Sequence, residues 1–275
     1  MERFDERFEK CPICNSIEIF RFHKTSEETI IFKCKECEIQ FLNPQYTEKY
    51  LNQYYSSYTN IGNEYEASHC NSHLECLRTI EIYGLREGKL FDIGCGSGAL
   101  ISIAKRKGWK VIGYDVDCTT VKAISEKTGA TIYCGDFNEL KMEDQTIDIV
   151  TMLHVLEHLK NPLSYFKKIN QVLKPNGFLF IVLPNINSRS SIVKLFLEKI
   201  KLKRKNIGAY YDTEHHLFYF TPKSIRHFLN INGFEVKFIY SGKKPYKKQT
   251  LNHFSEKFLS KIFWTSNMAL MAVKK

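Results

Sequence analysis

The chain has 275 residues, a formal charge of +10, 43 % hydrophobic and 25 % charged residues, which excludes a largely disordered chain. Sparse Gly (14) and Pro (7) exclude a collagen-like rod, and no apolar run approaches the ~20 residues that cross a bilayer. The start MERFDERFEKC lacks the apolar stretch of a secretory signal, and nine cysteines, an odd number, fit a reducing, cytoplasmic setting where cysteine pairs hold metal more often than they form disulfides.

Residues 1–45 carry Cys11-Pro-Ile-Cys14 and Cys34-Lys-Glu-Cys37, nineteen residues apart. Each C-x2-C turn presents two sulfurs to one ion, and two turns complete a tetrahedron. IEIFRF and TIIFKC between them read as short strands, so the segment is expected to be a zinc ribbon with a structural, closed site at Cys11, Cys14, Cys34 and Cys37. Residues 46–83 form a Tyr-rich helical connector, as a lid or packed against the core. His69, Cys70, His73 and Cys76 lie close together there, but packing is the preferred reading over a metal site.

From residue 84 the pattern becomes alternating β and α. Strands are predicted at 89–93, 110–114, 130–133, 147–152, 178–183, 235–240 and 267–273, with helices at 100–107, 119–128, 162–173 and 222–230. Such alternation implies a doubly wound, mostly parallel α/β sheet. Pro162 and Pro222 fall where a first helical turn accepts proline. Gly108, Gly129, Gly177 and Gly233 are expected as left-handed caps.

FDIGCGSG closes the first of these strands. Its glycines allow a tight turn that brings backbone amides to a ligand. Gly94, Gly96 and Ala99 satisfy the dinucleotide pattern as well, so the loop alone is ambiguous. Three acids narrow it. Asp92 places a carboxylate where a pyrophosphate would be repelled. Asp115, ending the second strand, suits ribose hydroxyls. Asp136-Phe137, after the third, offers an acceptor for an adenine amine and a ring to stack on.

With VIGYDVD, GDF, IDIVTMLHVLEHLKNP, LKPNGFLFIVLPN and HHLFYFTPKSIRHFLNINGFEV, the chain resembles the class I S-adenosylmethionine-dependent methyltransferases over roughly residues 75–275. The last four phrases are similar to the branch containing ubiquinone-pathway O-methyltransferases, some of which carry a four-cysteine ribbon and a Tyr-rich stretch. The resemblance implies a Rossmann-like seven-stranded sheet in order 3-2-1-4-5-7-6, last strand antiparallel. It implies S-adenosylmethionine as cofactor, with Asp92, Gly94, Gly96 and Gly98 around the methionine, Asp115 at the ribose, and Asp136 and Phe137 at the adenine.

His154, Glu157 and His158 follow the fourth strand, at the edge where open α/β sheets bind ligands. They are the catalytic candidates, with His154 as the base that takes an acceptor proton. H-x-x-E-H with the later His215-His216 is similar to the E-x-x-E-H plus distant His that binds a divalent ion in small-RNA 2′-O-methyltransferases. That likeness implies either a second divalent metal at His154, Glu157, His158 and His215 or a metal-free site in which Glu157 and His158 orient the loop by hydrogen bonds. Imidazole in place of the first Glu shifts the preference from magnesium toward zinc, manganese or iron.

Residues 186–213 are an insertion and a possible substrate lid. Residues 190–206 combine apolar and basic side chains, which suits peripheral contact with an anionic membrane, a lid or a packed helix, and 254–264 invite the same reading. Residues 1–188 hold 22 basic and 25 acidic residues, whereas 189–275 hold 18 and 5. The expected function is methyl transfer to a small-molecule acceptor: a sugar or glycan precursor, a quinol or a secondary metabolite. The alternative is a nucleic-acid (RNA) methyltransferase using the ribbon and the basic C-terminal third. Against it, no aromatic-basic recognition motif is present and the ribbon leans acidic.

Overall fold

A computed structural model describes residues 3–26, 28–57, 63–200, 210–241 and 266–275. In chain order they form β1 (Ile19–Lys24), β2 (Ile30–Cys34), β3 (Gln40–Leu42), α1 (Glu48–Ser57), α2 (Asn63–Ile82), β4 (Lys89–Ile93), α3 (Ala99–Arg106), β5 (Lys110–Tyr114), α4 (Cys118–Thr128) and β6 (Thr131–Tyr133). Then follow β7 (Ile147–Leu153), α5 (Pro162–Val172), β8 (Leu173–Pro184), α6 (Arg189–Lys199), β9 (Phe218–Tyr219), α7 (Pro222–Ile231), β10 (Phe234–Ser241) and β11 (Asn267–Lys274). The expected segment at 254–264 lies outside the described residues, as do ten of the eighteen basic residues after 188.

Seven strands make one sheet in the order β6-β5-β4-β7-β8-β11-β10. The β4–β5, β5–β6, β4–β7 and β7–β8 pairs are parallel, and β11 runs antiparallel to both β8 and β10. In order of appearance this is 3-2-1-4-5-7-6 with the last strand antiparallel, the Rossmann-like arrangement the resemblance implies. Its central strands are buried, and KLFDI and IDIVTML accordingly read as near-continuous apolar runs. Helix starts follow their sequence signals. Asp117 caps α4 through Thr119 N and Thr120 N, Asn161 caps α5 ahead of Pro162, and Thr221 with Ser224 forms a capping box on α7.

Two expectations are corrected. Gly177 is not a left-handed cap. The left-handed residue is its neighbour Asn176 (φ 58°), and β8 begins early at Leu173, with Lys174–Gly177 looped out of the β7 register. Nor are all cysteines outside the ribbon free, because Cys118, opening α4, is disulfide-bonded to Cys134, just past β6. No element pattern signals that pairing, since it depends on two adjacent strand tips.

The first three strands form a second sheet, β1-β2-β3-β9, antiparallel throughout. Its fourth strand comes from far along the chain: Phe41 pairs with Phe218 and Gln40 with Tyr219. Ribbon side chains such as Ile31, Ile39 and Phe41 share one continuous core with Leu217, Phe218 and the main sheet. The ribbon is thus fused to the larger unit by backbone pairing and by burial.

Candidate active site

Both C-x2-C turns end on a left-handed residue, Asn15 (φ 59°) after the first and Glu38 (φ 58°) after the second. Cys11 Sγ lies 3.6 Å from Cys37 Sγ, and Cys14 Sγ lies 3.6 Å from Cys34 Sγ. All four sulfurs lie within 4.8 Å of one another. A tetrahedron with Zn–S bonds of about 2.3 Å has edges of roughly 3.8 Å, so this donor set fits zinc with all positions filled. The Cys11–Cys37 hydrogen bond pushes the Cys11 thiol down and the Cys37 thiol up, so the first proton of the pair leaves from Cys11.

Asp92 ends β4 opposite Thr151 of β7, whose hydroxyl donates to Asp92 Oδ1 at 2.6 Å. Burial raises this carboxyl to about 7, the Thr151 hydrogen bond works against that, and nearby Asp115 adds to it. Gly94, Gly96 and Gly98 all adopt positive φ. A Cβ on Gly94 would sit 2.3 Å from Val155 Cγ2, and one on Gly98 would sit 2.4 Å from Ile124 Cγ2. A Cβ on Gly96 would meet nothing within 4 Å, so the loop is open at that one point. Asp115 Oδ2 accepts from Gly96 N at 2.8 Å, which ties the second strand tip to the loop. Asp136 caps the 3-10 turn Phe137–Glu139 and is exposed.

Phe137 departs from the expectation of an adenine-facing ring. It is 1 % exposed and stacks on Tyr165 at 4.1 Å, with Phe91 parallel to it at 6.2 Å. Its ring is a core element, and the exposed apolar side chain at these tips is Val116, missed in the sequence because an isolated valine carries no signal. The open space at Gly96, the buried Asp92 and the half-buried Asp115 together fit a cationic nucleoside better than a pyrophosphate.

β7 ends at His154, which is left-handed (φ 58°) and donates its backbone N–H to Val182 O. A 3-10 turn, Leu156–His158, follows. Glu157 is buried, with its Oε1 3.4 Å from His154 Nδ1 and 3.8 Å from His158 Nε2. Burial pushes this carboxyl up. The His154 imidazole and the charges of His158 and His216 outweigh burial and hold it at about 2. Burial pushes His158 down to about 4, more than Glu157 pulls it up, so its ring is neutral at pH 7.

His215-His216 fold back over this turn, fixed by Leu217 N donating to Glu157 O at 2.9 Å. His158 and His215 stack at 4.8 Å. The ligand atoms that converge within 4.8 Å are those of His158, His215 and His216. Of the expected metal set, His158 and His215 are in this cluster and His216 joins them, while Glu157 bridges toward it at 3.8 Å from His158 Nε2 and His154 lies on the far side of Glu157. The connector supplies the cover. Tyr46 Oη donates to Thr213 O, Tyr54 Oη lies 3.0 Å from His215 Nδ1, and Tyr55 packs edge-on against His158. Tyr55 Oη, both Glu157 carboxylate oxygens and His154 Nε2 are buried without a hydrogen-bond partner among the described residues. Four such atoms gathered at one place mark where a polar ligand belongs. His69 and Cys70 of the other expected cluster lie outside the described side chains, and Cys76 is buried in the core.

An α/β sheet with carboxylates at three successive strand tips and a glycine turn defines a nucleoside-binding fold. A methyltransferase-domain family model matches residues 72–237, and the chain belongs to that family. It is similar to the ubiquinone biosynthesis O-methyltransferase of Aliivibrio fischeri, 33 % identical over 113 residues, covering 39 % of this chain and 48 % of that protein. The Histophilus somni enzyme of the same name is 30 % identical over 110 residues, covering 35 % and 45 %. The chain thus spans about half the length of these curated relatives. Among solved structures, a SAM-dependent methyltransferase from Aquifex aeolicus is similar at TM-score 0.51 and 17 % identity, covering 74 % of this chain and 93 % of that one. One from Mesorhizobium loti gives 0.52 and 16 %, covering 73 % and 98 %. These likenesses concern the fold.

Proposed function

We propose that the protein is an S-adenosylmethionine-dependent O-methyltransferase acting on a small molecule. The carrying observation is the His154–Glu157 pair. Glu157 Oε1 lies 3.4 Å from Nδ1 of the imidazole, an ion-pair distance at which a buried acid orients a base, and Nε2 has no hydrogen-bond partner among the described residues. Asp92 and the loop from Gly94 to Gly98 are proposed to hold the methionine end, Asp115 the ribose, and Asp136 and Val116 the adenine. When bound, the cofactor supplies an electrophilic methyl group on a sulfonium. His154 Nε2 takes the acceptor hydroxyl's proton as transfer proceeds, and the sheet edge aligns the two reactants. His158, His215 and His216 suit a transition ion such as zinc or manganese, which would polarise the acceptor hydroxyl.

Incubation with labelled donor and a cell metabolite extract, read by mass spectrometry for products gaining one CH2, tests the activity. His154→Ala is expected to lower turnover by about 10²–10⁴ while leaving affinity for S-adenosylhomocysteine unchanged. Calorimetry showing heat with nicotinamide adenine dinucleotide, and none with S-adenosylhomocysteine, would overturn the reading.

No helix among the described residues is long and apolar enough to cross a membrane. Helix α6 nevertheless exposes Ile192, Val193 and Phe196, with Ile200 exposed just beyond its end and Lys194 and Lys199 in the same stretch. This supports the peripheral contact with an anionic bilayer proposed for residues 190–206, of which 201–206 lie outside the described residues. Flotation with phosphatidylglycerol vesicles, lost in Phe196→Glu, is the test.

A further inference from the structure

A cavity of about 530 Å³ opens at the tip of β8. His216 belongs both to its wall and to the imidazole cluster described above. Strand β8 also borders β7, so the floor of the cavity at Pro184–Asn185 lies one strand from His154, whose N–H is bonded to Val182 O. The cavity therefore reaches the catalytic edge from the side opposite the cofactor loop.

Its lining is unusual. Pockets of this size are lined mostly by apolar side chains with a few polar groups. Here the reverse holds. Pro184, Ile186 and Phe218 are the wholly apolar members, and the rest are amides, hydroxyls, charged groups or tyrosines. Asn185 is 1 % exposed, its Oδ1 accepts Asn187 N, and its Nδ2 has no hydrogen-bond partner among the described residues. A buried, unpaired amide donor is costly, and a ligand acceptor would offset that cost. Lys194 stands at the rim with no ion pair among the described residues, while Asp212 and Glu214 contribute carboxylates. Tyr210 adds a half-buried ring.

We infer that this cavity is the acceptor pocket and that it takes a carbohydrate ring, whose several hydroxyls meet the donors and acceptors around Asn185, Lys194, Asp212 and Glu214 while a C–H face lies on Tyr210. A flat quinol with an apolar tail would leave those groups unpaired and is disfavoured on that ground. The inference rests on the methyl-transfer reading, since it assigns the hydroxyl that His154 would deprotonate.

The test is saturation-transfer NMR on the full chain loaded with S-adenosylhomocysteine, using the methyl glycosides of glucose, galactose and mannose, with catechol as the contrasting probe. Saturation of ring protons of at least one glycoside is expected, and none of catechol. Asn185→Asp, which removes the donor while keeping the acceptor, should weaken glycoside binding at least fivefold. So should Tyr210→Ala at a more tolerant position, with affinity for S-adenosylhomocysteine within twofold of wild type in both. Silence from all three glycosides, or a catechol signal that Asn185→Asp abolishes, overturns the inference. Glycoside binding by a protein that gives no heat with S-adenosylhomocysteine would keep the pocket and sink the methyl-transfer reading instead.

Discussion

Gly96 and Gly98 are both left-handed, yet their surroundings differ, and that difference separates folding from cofactor binding. In Gly96→Ala the new Cβ enters empty space, so the folded protein bears only the cost of a left-handed alanine, about 1–2 kcal/mol. That corresponds to a loss of roughly 2–8 °C in melting temperature for a chain of this size. In Gly98→Ala the same backbone cost is joined by a 2.4 Å approach to Ile124 Cγ2. Overpacking adds about 1–3 kcal/mol, so the total loss is roughly 4–20 °C. The order reverses for binding. The open space at Gly96 is where the cofactor is proposed to lie, so Gly96→Ala should weaken S-adenosylhomocysteine at least tenfold, about 1.4 kcal/mol. Gly98→Ala, whose new Cβ meets Ile124 instead of entering the open space, should weaken binding by its folded fraction less than Gly96→Ala does. Melting with and without saturating S-adenosylhomocysteine, together with calorimetry, measures both quantities. A folded Gly96→Ala protein that binds as tightly as wild type would refute the placement of the cofactor at this loop.

Burial holds the Asp92 carboxyl at about 7, so at pH 6 it is mostly protonated and must release a proton before it can face a cation. Affinity for S-adenosylmethionine should therefore rise about tenfold from pH 6 to pH 8. Asp92→Asn should flatten that rise, and a profile shared by both proteins would remove Asp92 from the site. The ribbon should carry one zinc per chain by elemental analysis. Cys34→Ser should abolish that zinc and lower the melting temperature, and a metal-free wild-type chain with the native melt would count against the site. Reduction of Cys118–Cys134, which closes a loop of 16 residues, should cost about 3 kcal/mol, or roughly 6–12 °C. The Cys118→Ser/Cys134→Ser protein should be insensitive to reductant, and equal sensitivity there would assign the effect to other thiols.

Seven-strand alternation was legible because the central strands β4, β7 and β8 are apolar runs and α4, α5 and α7 each carry a side-chain cap, with a first-turn proline on α5 and α7. The strand positions agree with expectation to within one residue at most ends, and the exception, β8, starts five residues early because LKPNG loops out while Leu173 still pairs with Ile147. β9 was illegible, because two residues carry no period and their partner lies in the ribbon. The same holds for Cys118–Cys134, whose closeness comes from the order of β5 and β6. At the site, residue types were readable and directions were not. Phe137 turns inward onto Tyr165, His154 takes a left-handed backbone, and His216 replaces His154 among the converging imidazoles.

The pairing of β3 with β9 has a consequence for how the molecule responds to metal supply. β9 starts two residues after His216, so the segment that carries the paired histidines is anchored at one end to the thiolate module. Stripping zinc would loosen that anchor, which lies far from His154 along the chain but is joined to the histidine segment through the Phe41–Phe218 pairing. Starvation for that ion would then silence methylation by letting the imidazoles drift, with the nucleoside still docked on its own intact strands.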